Sequence, residues 1–210
     1  MRRLDRHSPD QPLHTVASTR RLEAAALAGL PPHTLMQRAG AAVARLALAL
    51  APHARTVRIV AGAGNNGGDG LDAALRLQHA GKHVEVLLLG EPRAEDACDA
   101  LARARDAAVS INPTAPTPLG AQDLAIDALL GIGASRVVEG PLGAAIDGLN
   151  ALPCPVLAID LPSGLAADTG LPLGRAVRAT HTLSLLTLKP GLFTAAGRDH
   201  AGTVWFDDLG

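Results

Sequence analysis

A glycine-rich segment that carries polar side chains follows the first β-branched run of the chain. Five of its nine residues are glycine, and it reads Gly62-Ala63-Gly64-Asn65-Asn66-Gly67-Gly68-Asp69-Gly70. Glycine lets a backbone approach a ligand closely, and amides at the start of a helix attract anions. The segment contains the dinucleotide fingerprint G-x-G-x-x-G, which is a weak signal when it stands alone. Because its amides and carboxylate can also bind hydroxyls or a cation, we predict a ligand-binding loop over residues 62–70. The alternative is a tight turn in which asparagine tolerates left-handed backbone.

Two aspartates occur at the ends of apolar runs further along the chain. Asp127 lies in the run AIDALL and precedes two glycines, and Asp160 follows the run VLAI and precedes a turn that contains Ser163. An acid in an apolar strand is costly unless it is paired or binds a ligand. A cap on a buried loop for Asp127 and an Asx turn for Asp160 are the structural alternatives. Since ligands bind at the carboxyl ends of parallel strands, we expect both aspartates to share one rim with the glycine-rich segment.

The order of the elements around these segments predicts a three-layer α/β fold with a mostly parallel sheet. Two helices come first, one capped by Ser18 and ending near residue 28, and one over residues 35–50. Strands are predicted at residues 57–61, 83–89, 109–111, 125–130, 156–159, 182–188 and 204–206, and helices at 69–80, 94–107 and 142–152. A proline-rich loop is expected over residues 112–120. Residues 1–14 lack periodicity and are predicted to be a flexible tail, which leaves residues 15–210 as a single domain.

The composition argues against several classes of partner. Lys and Arg number 19 against 20 Asp and Glu, so no basic field is available for nucleic acid or anionic lipid. Aromatic residues make up 1%, which disfavours base stacking. Cys98 and Cys154 form no C-x-x-C pair, and neither a signal peptide nor a run of about 18 apolar residues occurs. We therefore expect a cytoplasmic protein with no nucleic-acid or membrane partner.

The motifs together resemble those of one family. AGAGNNGGDGLDAALRL, DALLGIG and AIDLPSGLAADTG, in this order, are similar to segments of the NAD(P)H-hydrate epimerase family (the YjeF N-terminal domain). The leading segment STRRLEAAALAGLPPHTLMQRAGAAVA, which contains Glu23, resembles that family's N-terminal helices, so the likeness covers roughly residues 15–206. It implies a three-layer α/β/α Rossmann-like fold with two N-terminal helices, and an enzyme that interconverts the R and S forms of the hydrated cofactors NADHX and NADPHX. A homodimer is a further expectation.

The resemblance also implies roles for individual residues. The hydrated nucleotide would be bound by Asp160 and by two loops, which contain Asn65, Asn66, Gly67, Gly68, Asp69, Gly131, Ile132, Gly133, Ala134, Ser135, Arg136 and Val137. A potassium ion would be bound by Asn66, Asp127 and Ser163, whose hard oxygen ligands suit an alkali ion. Asp160 would lie against the reacting ring. We predict it to be the acid/base catalyst, with a pKa raised by partial burial, and Asp69 to be the second candidate.

Several segments and functions are left as alternatives. Lys189 is expected at the rim of the pocket, and Arg20 and Arg21 are interpreted as part of a solvated face. The ending GRDHAGTVWFDDLG resembles the link to the ATP- or ADP-dependent dehydratase domain of bifunctional repair enzymes, so a fused C-terminal domain is one expectation. A non-catalytic nucleotide- or protein-binding module and an NAD(P)-dependent oxidoreductase are the other functions considered. The oxidoreductase is disfavoured because no Tyr-x-x-x-Lys signature is present.

Overall fold

One sheet of eight strands organises the described part of the chain, residues 1–5, 7–112 and 117–210 of a computed structural model. The strands are β1 Arg2–Arg3, β2 Thr56–Gly62, β3 His83–Leu89, β4 Ser110–Asn112, β5 Leu124–Ala128, β6 Val156–Ile159, β7 His181–Leu185 and β8 Thr203–Asp207. The helices are α1 Val16–Ala28, α2 Thr34–Leu50, α3 Asn65–His79, α4 Glu95–Asp106, α5 Gly140–Asn150 and α6 Gly197–His200, with a 3₁₀ turn at Pro190–Leu192. None of the described helices is both long and apolar enough to cross a bilayer.

The strand order contains a single reversal, which marks where a ligand can enter. The order is β1-β8-β7-β6-β5-β2-β3-β4, and all neighbours are parallel except β1 and β8. The chain runs outward from β2 to β4, then returns to β5 on the other side of β2 and runs outward again. In such sheets the crevice above the carboxyl ends lies at this switch point. It is therefore the end of β2 and the end of β5 that flank the expected site.

Helices cover both faces of the sheet, because successive residues of each strand point to opposite sides. Ile59 and Ala61 of β2 pack into the core beneath α2, α3 and α4, whereas Val60 packs into the core that includes Ile146 of α5. The prediction of a three-layer α/β/α Rossmann-like fold with a mostly parallel sheet and two N-terminal helices is therefore confirmed.

A buried ion-pair network holds α2, α3 and α4 together. Asp72 of α3 is fully buried, and its two carboxylate oxygens each accept a hydrogen bond of 2.6 Å, from Arg76 and Arg103. A Cβ on Gly40 of α2 would overlap the Asp72 side chain, with the Asp72 Cγ at 2.8 Å. Glycine at position 40 thus lets α2 approach the buried carboxylate.

The predicted loop over residues 62–70 is mostly helix, which corrects that prediction. Helix α3 begins at Asn65, so only residues 63 and 64 connect it to β2. A Cβ on Gly67 would overlap the carbonyl oxygen of Gly62, and a Cβ on Gly68 would lie 2.6 Å from Met36 Cε. These two glycines are needed for packing of the first helical turns, not for a flexible loop. The glycine and asparagine content of residues 62–70 is typical of a loop, but the packing around Gly67 and Gly68 permits a helix.

Smaller differences concern the ends of elements. Helix α1 is capped by Thr15, whose Oγ1 accepts a hydrogen bond of 3.3 Å from the Ser18 amide, so Ser18 lies inside the helix. Strand β7 ends at Leu185 because Leu186 adopts left-handed backbone, with φ of 62°. Residues 113–116 of the predicted proline-rich loop lie outside the described residues.

The N-terminal segment contacts the sheet at two places. Strand β1 pairs antiparallel with β8, with Arg2 opposite Phe206, and the His14 amide donates to the Leu188 carbonyl at 2.8 Å. Residues 2–3 and 14 are therefore anchored points within the segment that the sequence predicts to be a flexible tail.

Candidate active site

A cavity of about 590 Å³ lies at the switch point of the sheet. Its volume falls in the range of roughly 300–1,000 Å³ that is usual for small-molecule and cofactor sites. Of the residues predicted to bind substrate, the cavity is lined by Asn65, Asn66, Asp69, Gly131, Ile132, Gly133, Ala134 and Asp160. The three segments that the sequence singled out therefore meet at one place.

The other predicted residues do not line this cavity. Gly67 and Gly68 are buried within α3, as described above, and Ser135, Arg136 and Val137 follow the part of their loop that borders the cavity. Asp127 and Ser163 are buried beside the site, with 0% and 1% of their surface exposed. A substrate-binding role for residues 135–137 stays a prediction of the family resemblance.

The start of α3 borders the cavity and carries unsatisfied backbone donors. Gly64 is the N-cap and has no side chain to accept a hydrogen bond, so its own side chain cannot cap the first amides of the helix. Because Asn65 and Asn66 of this first turn line the cavity, these amides are positioned for an anionic group of a ligand.

Asp127 and Ser163 form a compact polar group next to the glycine turn. The Ser163 hydroxyl donates to Asp127 Oδ1 at 2.6 Å, and the Ser163 amide donates to Oδ2 at 2.8 Å. Burial raises the pKa of Asp127 to about 6, although hydrogen bonds from Ser163 and Leu129 oppose the shift. Ser163 Oγ also accepts from the Leu130 amide at 2.8 Å and lies 3.2 Å from the Leu130 carbonyl oxygen.

Asn66 completes this neighbourhood with a buried atom that lacks a partner. A Cβ on Gly131 would lie 3.4 Å from the Asn66 Cβ, so Asn66 packs against the residue that follows Leu130. Its Nδ2 is buried and has no hydrogen-bond partner in the described part of the chain. An unpartnered buried amide is costly, and a half-turn of the amide would present Oδ1 at the same position. The structure thus brings the three predicted potassium ligands into one region.

Asp160 occupies a strained turn that its side chain stabilises. Its φ is 67°, in the left-handed region that a residue other than glycine adopts at a cost of roughly 1–3 kcal/mol. Its Oδ1 accepts a hydrogen bond from the Leu185 amide at 3.2 Å and from the ammonium of Lys189. These contacts aim the carboxylate at the cavity from the end of β6.

Lys189 lines the cavity, as predicted, but its side chain is buried in the wall. Only 1% of its side chain is exposed, and its ammonium also donates to the carbonyls of Leu185 at 2.7 Å and Thr187 at 2.9 Å. The ammonium is thus bound by the Asp160 carboxylate and by two backbone carbonyls of the turn after β7. It joins the ends of β6 and β7.

Three further carboxyls line the cavity with Asp160, and one of them, Asp96, is hydrogen-bonded to His33 at 2.6 Å. Burial and the negative charges of Asp160, Glu23 and Asp72 raise the pKa of Asp69 well above its usual range. Burial, and next the charge of Asp160, also raise the pKa of Glu23. The surroundings of Glu23 and, more strongly, of Asp69 therefore favour a bound proton, whereas Asp160 forms an ion pair with Lys189.

Helix α1 supplies a wall of the cavity that the sequence analysis assigned to no site. Thr19, Arg20, Glu23 and Leu27 line the cavity from one helical face. The buried Thr19 hydroxyl forms a 2.8 Å hydrogen bond with the Thr187 hydroxyl, which fixes the helix above the Lys189 turn. The interpretation of Arg20 as a solvated residue is thus incomplete, because its side chain is exposed but also borders the cavity. The sequence signal that could have indicated this wall is the spacing of Thr19, Arg20 and Glu23, which places their polar side chains on one face of α1.

Comparisons with known proteins agree with this arrangement. Residues 32–191 match the family described as YjeF-related protein N-terminus. The chain is 41% identical to the NAD(P)H-hydrate epimerase of Limosilactobacillus fermentum over 185 residues, which cover 87% of this chain and 88% of that protein. A TM-score of 0.76 at 19% identity relates its fold to the crystal structure of yeast ynu0, over 90% of this chain and 86% of that one.

A second kind of relative is longer than this chain. The bifunctional NAD(P)H-hydrate repair enzyme Nnr of Escherichia coli is 38% identical over 192 residues, which cover 90% of this chain. The chain spans 37% of the length of that relative.

Proposed function

Because the chain belongs to the YjeF-related protein N-terminus family, we propose that it is an NAD(P)H-hydrate epimerase, which interconverts the R and S forms of NADHX and NADPHX. The observation that carries the proposal is the meeting of Asp69 and Asp160 in one cavity, beside a helix start suited to an anionic nucleotide. The L. fermentum relative, which bears this enzyme name, aligns with most of the chain.

The chemistry requires one proton donor and one proton acceptor. In the hydrated ring, the ring nitrogen expels the hydroxyl from C6 and becomes an iminium. The departing hydroxide takes up a proton and leaves as water. A water molecule then adds to C6 and releases a proton. Addition to the opposite face inverts C6, and the composition of the molecule does not change.

Two carboxyls in different surroundings suit these two roles. Asp69, whose pKa is raised by burial and by neighbouring negative charges, would donate a proton to the departing hydroxide. Asp160, which is paired with Lys189, would accept the proton of the incoming water. A proton passing from Asp160 back to Asp69 would reset the pair.

A potassium ion is part of the proposal, and the donor set fits it. Asn66 Oδ1, an Asp127 carboxylate oxygen and Ser163 Oγ would hold the ion, with the unpartnered amide of Asn66 as the observation that favours a missing ligand. Oxygen ligands of this kind suit hard cations. The ion would hold the glycine turn and the β6 turn together, and through them the position of the substrate.

Potassium is expected to stabilise the protein more than sodium does. At ten times its Kd, a bound ion adds about 1.4 kcal/mol to the free energy of unfolding, which corresponds to roughly 3–6 °C in Tm for a chain of this size. The measurement is Tm in KCl and in NaCl at equal ionic strength. Ser163→Ala, which removes one ligand, should lose most of the difference, whereas Ser18→Ala, at a half-buried position of α1 outside this group, should keep it. Equal Tm values of the wild type in both salts would contradict a potassium site.

Epimerisation itself is the direct test of the function. Purified chain mixed with R-NADHX should produce the S epimer faster than the spontaneous reaction, as followed by chromatography. Asp160→Asn at the same concentration serves as the matched control for contaminating activity. A wild-type rate no higher than the spontaneous one would favour a non-catalytic binding module instead.

The relatives bear on whether a further domain is fused to this one, but not on oligomeric state or location. The bifunctional relatives make a fused dehydratase domain an expected partner in a longer protein. A homodimer and a cytoplasmic location stay predictions of the sequence.

A further inference from the structure

We propose that Arg20 of α1 binds a phosphate group of the dinucleotide, and that it does so together with the backbone of the turn at residues 131–134. The inference rests on the proposed function, and it adds a subsite for the non-reacting part of the substrate. Neither the glycine-rich segment nor the loop at residues 131–137 contains this residue.

The position of Arg20 places a free guanidinium against the glycine turn. Its Nη2 lies 3.6 Å from the point that a Cβ on Gly133 would occupy, and both residues line the cavity. Arg20 forms no hydrogen bond or ion pair with any described residue. Glu23 attracts it electrostatically, but its exposed side chain can turn toward a ligand without breaking a hydrogen bond.

The glycine turn adds backbone donors at the same place. The Ala134 amide donates to the Gly131 carbonyl at 3.2 Å, which closes the turn. The amides of Ile132 and Gly133, by contrast, donate to no acceptor in the described part of the chain. A guanidinium beside unpaired backbone amides is a donor set that suits a phosphate.

The charges along α1 also set the direction in which the dinucleotide lies. Glu23 follows Arg20 by one turn on the same helical face, and it interacts electrostatically with Asp160 and Asp69. The uncharged ring would therefore lie at the Glu23 end of this face, near the reacting carboxyls. The phosphates would lie at the Arg20 end. Arg136, the arginine of the neighbouring loop, does not line the cavity.

Two phosphate groups of the substrates could bind Arg20, and two probes distinguish them. The first is the pyrophosphate of both cofactors, and the second is the 2′-phosphate that only NADPHX carries. ADP-ribose contains the pyrophosphate alone, and 2′-phospho-ADP-ribose contains both. We therefore propose to titrate both probes by calorimetry into the wild type, Arg20→Ala, Arg20→Lys and Arg21→Ala. Arg21 is the matched control, because it is an exposed neighbour on α1 that does not line the cavity.

Arg20→Ala should weaken binding about tenfold or more, since a charge-assisted hydrogen bond is lost. An equal loss for both probes identifies the pyrophosphate, and a loss confined to 2′-phospho-ADP-ribose identifies the 2′-phosphate. Arg20→Lys should recover part of the affinity, because it keeps the charge but not the planar fork. In the epimerase assay, Arg20→Ala should raise KM by a similar factor and leave kcat nearly unchanged.

Other outcomes overturn the proposal. Affinities of Arg20→Ala within twofold of Arg21→Ala for both probes would do so, and so would failure of the wild type to bind either probe. If the wild type binds the probes through Arg20 but does not epimerise R-NADHX, the phosphate subsite stands and the epimerase function fails.

Discussion

Replacing Asp160 by Asn is expected to lower the epimerisation rate by about 10²–10⁴-fold, the usual contribution of a general acid or base. The amide cannot take up the proton of the incoming water, although it has the size and shape of the carboxylate. The rate should be measured on wild type and variant at equal concentrations of folded protein, with affinity for NADP⁺ as a control for binding. A variant within about threefold of the wild type would exclude Asp160 and move the role to Asp69.

The ion pair with Lys189 complicates this variant, since the amide leaves the buried ammonium without its charged partner. Some loss of stability in Asp160→Asn is therefore expected, and a loss of rate could be mistaken for unfolding. The double variant Asp160→Asn with Lys189→Met removes both charges and should recover stability, but it should remain as inactive as the single variant. Recovery of activity along with stability would show that Asp160 acts only through the fold.

Replacing Lys189 by Met is expected to lower the free energy of unfolding by about 3 kcal/mol, because breaking a buried pair leaves an uncompensated charge. Lys189 is 1% exposed and Asp160 13% exposed, so little water can replace the lost ammonium. For a chain of this size the change corresponds to a fall in Tm of roughly 6–12 °C. Urea denaturation of the single and double variants gives the interaction energy between the two residues.

Lys82 offers a matched control for Lys189. Its ammonium donates to the carbonyls of Pro52 at 2.7 Å and Ala54 at 2.8 Å, but it pairs with no acid in the described part of the chain. Lys82→Met should therefore cost less than about 1.5 kcal/mol, the range of ordinary hydrogen bonds. Similar losses for Lys82→Met and Lys189→Met would contradict a special role for the buried pair.

The sheet could be predicted well because its central strands are buried on both faces. Strand β3, which is apolar except for His83 and Glu85, coincides with the predicted residues 83–89, and β6 coincides with residues 156–159. The start of α3 could not be predicted in this way. Asn and Gly favour loops on average, and the helix forms there because Gly67 packs against the backbone of Gly62, a contact that composition does not reveal.

The site residues that follow directly after strands could be predicted. The residues whose positions depend on a turn or on helix packing could not. The order of the motifs indicated that Asp127, Asp160 and the glycine-rich segment would meet at one rim. The pairing of Asp160 with Lys189 depends on a left-handed turn and on the early end of β7, which the apolar pattern through residue 188 conceals. The role of α1 was missed because Arg20 and Glu23 belong to a helix with few buried residues.

The antiparallel pairing of β1 with β8 determines when the edge of the sheet can be completed during synthesis. Arg2 pairs with Phe206, so β1 cannot find its partner until β8, about 200 residues further along the chain, has been made. At synthesis rates of roughly 5–20 residues per second, about 200 residues take about 10–40 s. Strand β7 is complete about 18 residues before β8 begins, so its outer edge is unpaired for roughly 1–4 s at these rates. Such unpaired edges recruit other chains. Nascent chains that stall between the end of β7 and the start of β8 would therefore expose this edge for longer and be the more prone to aggregate.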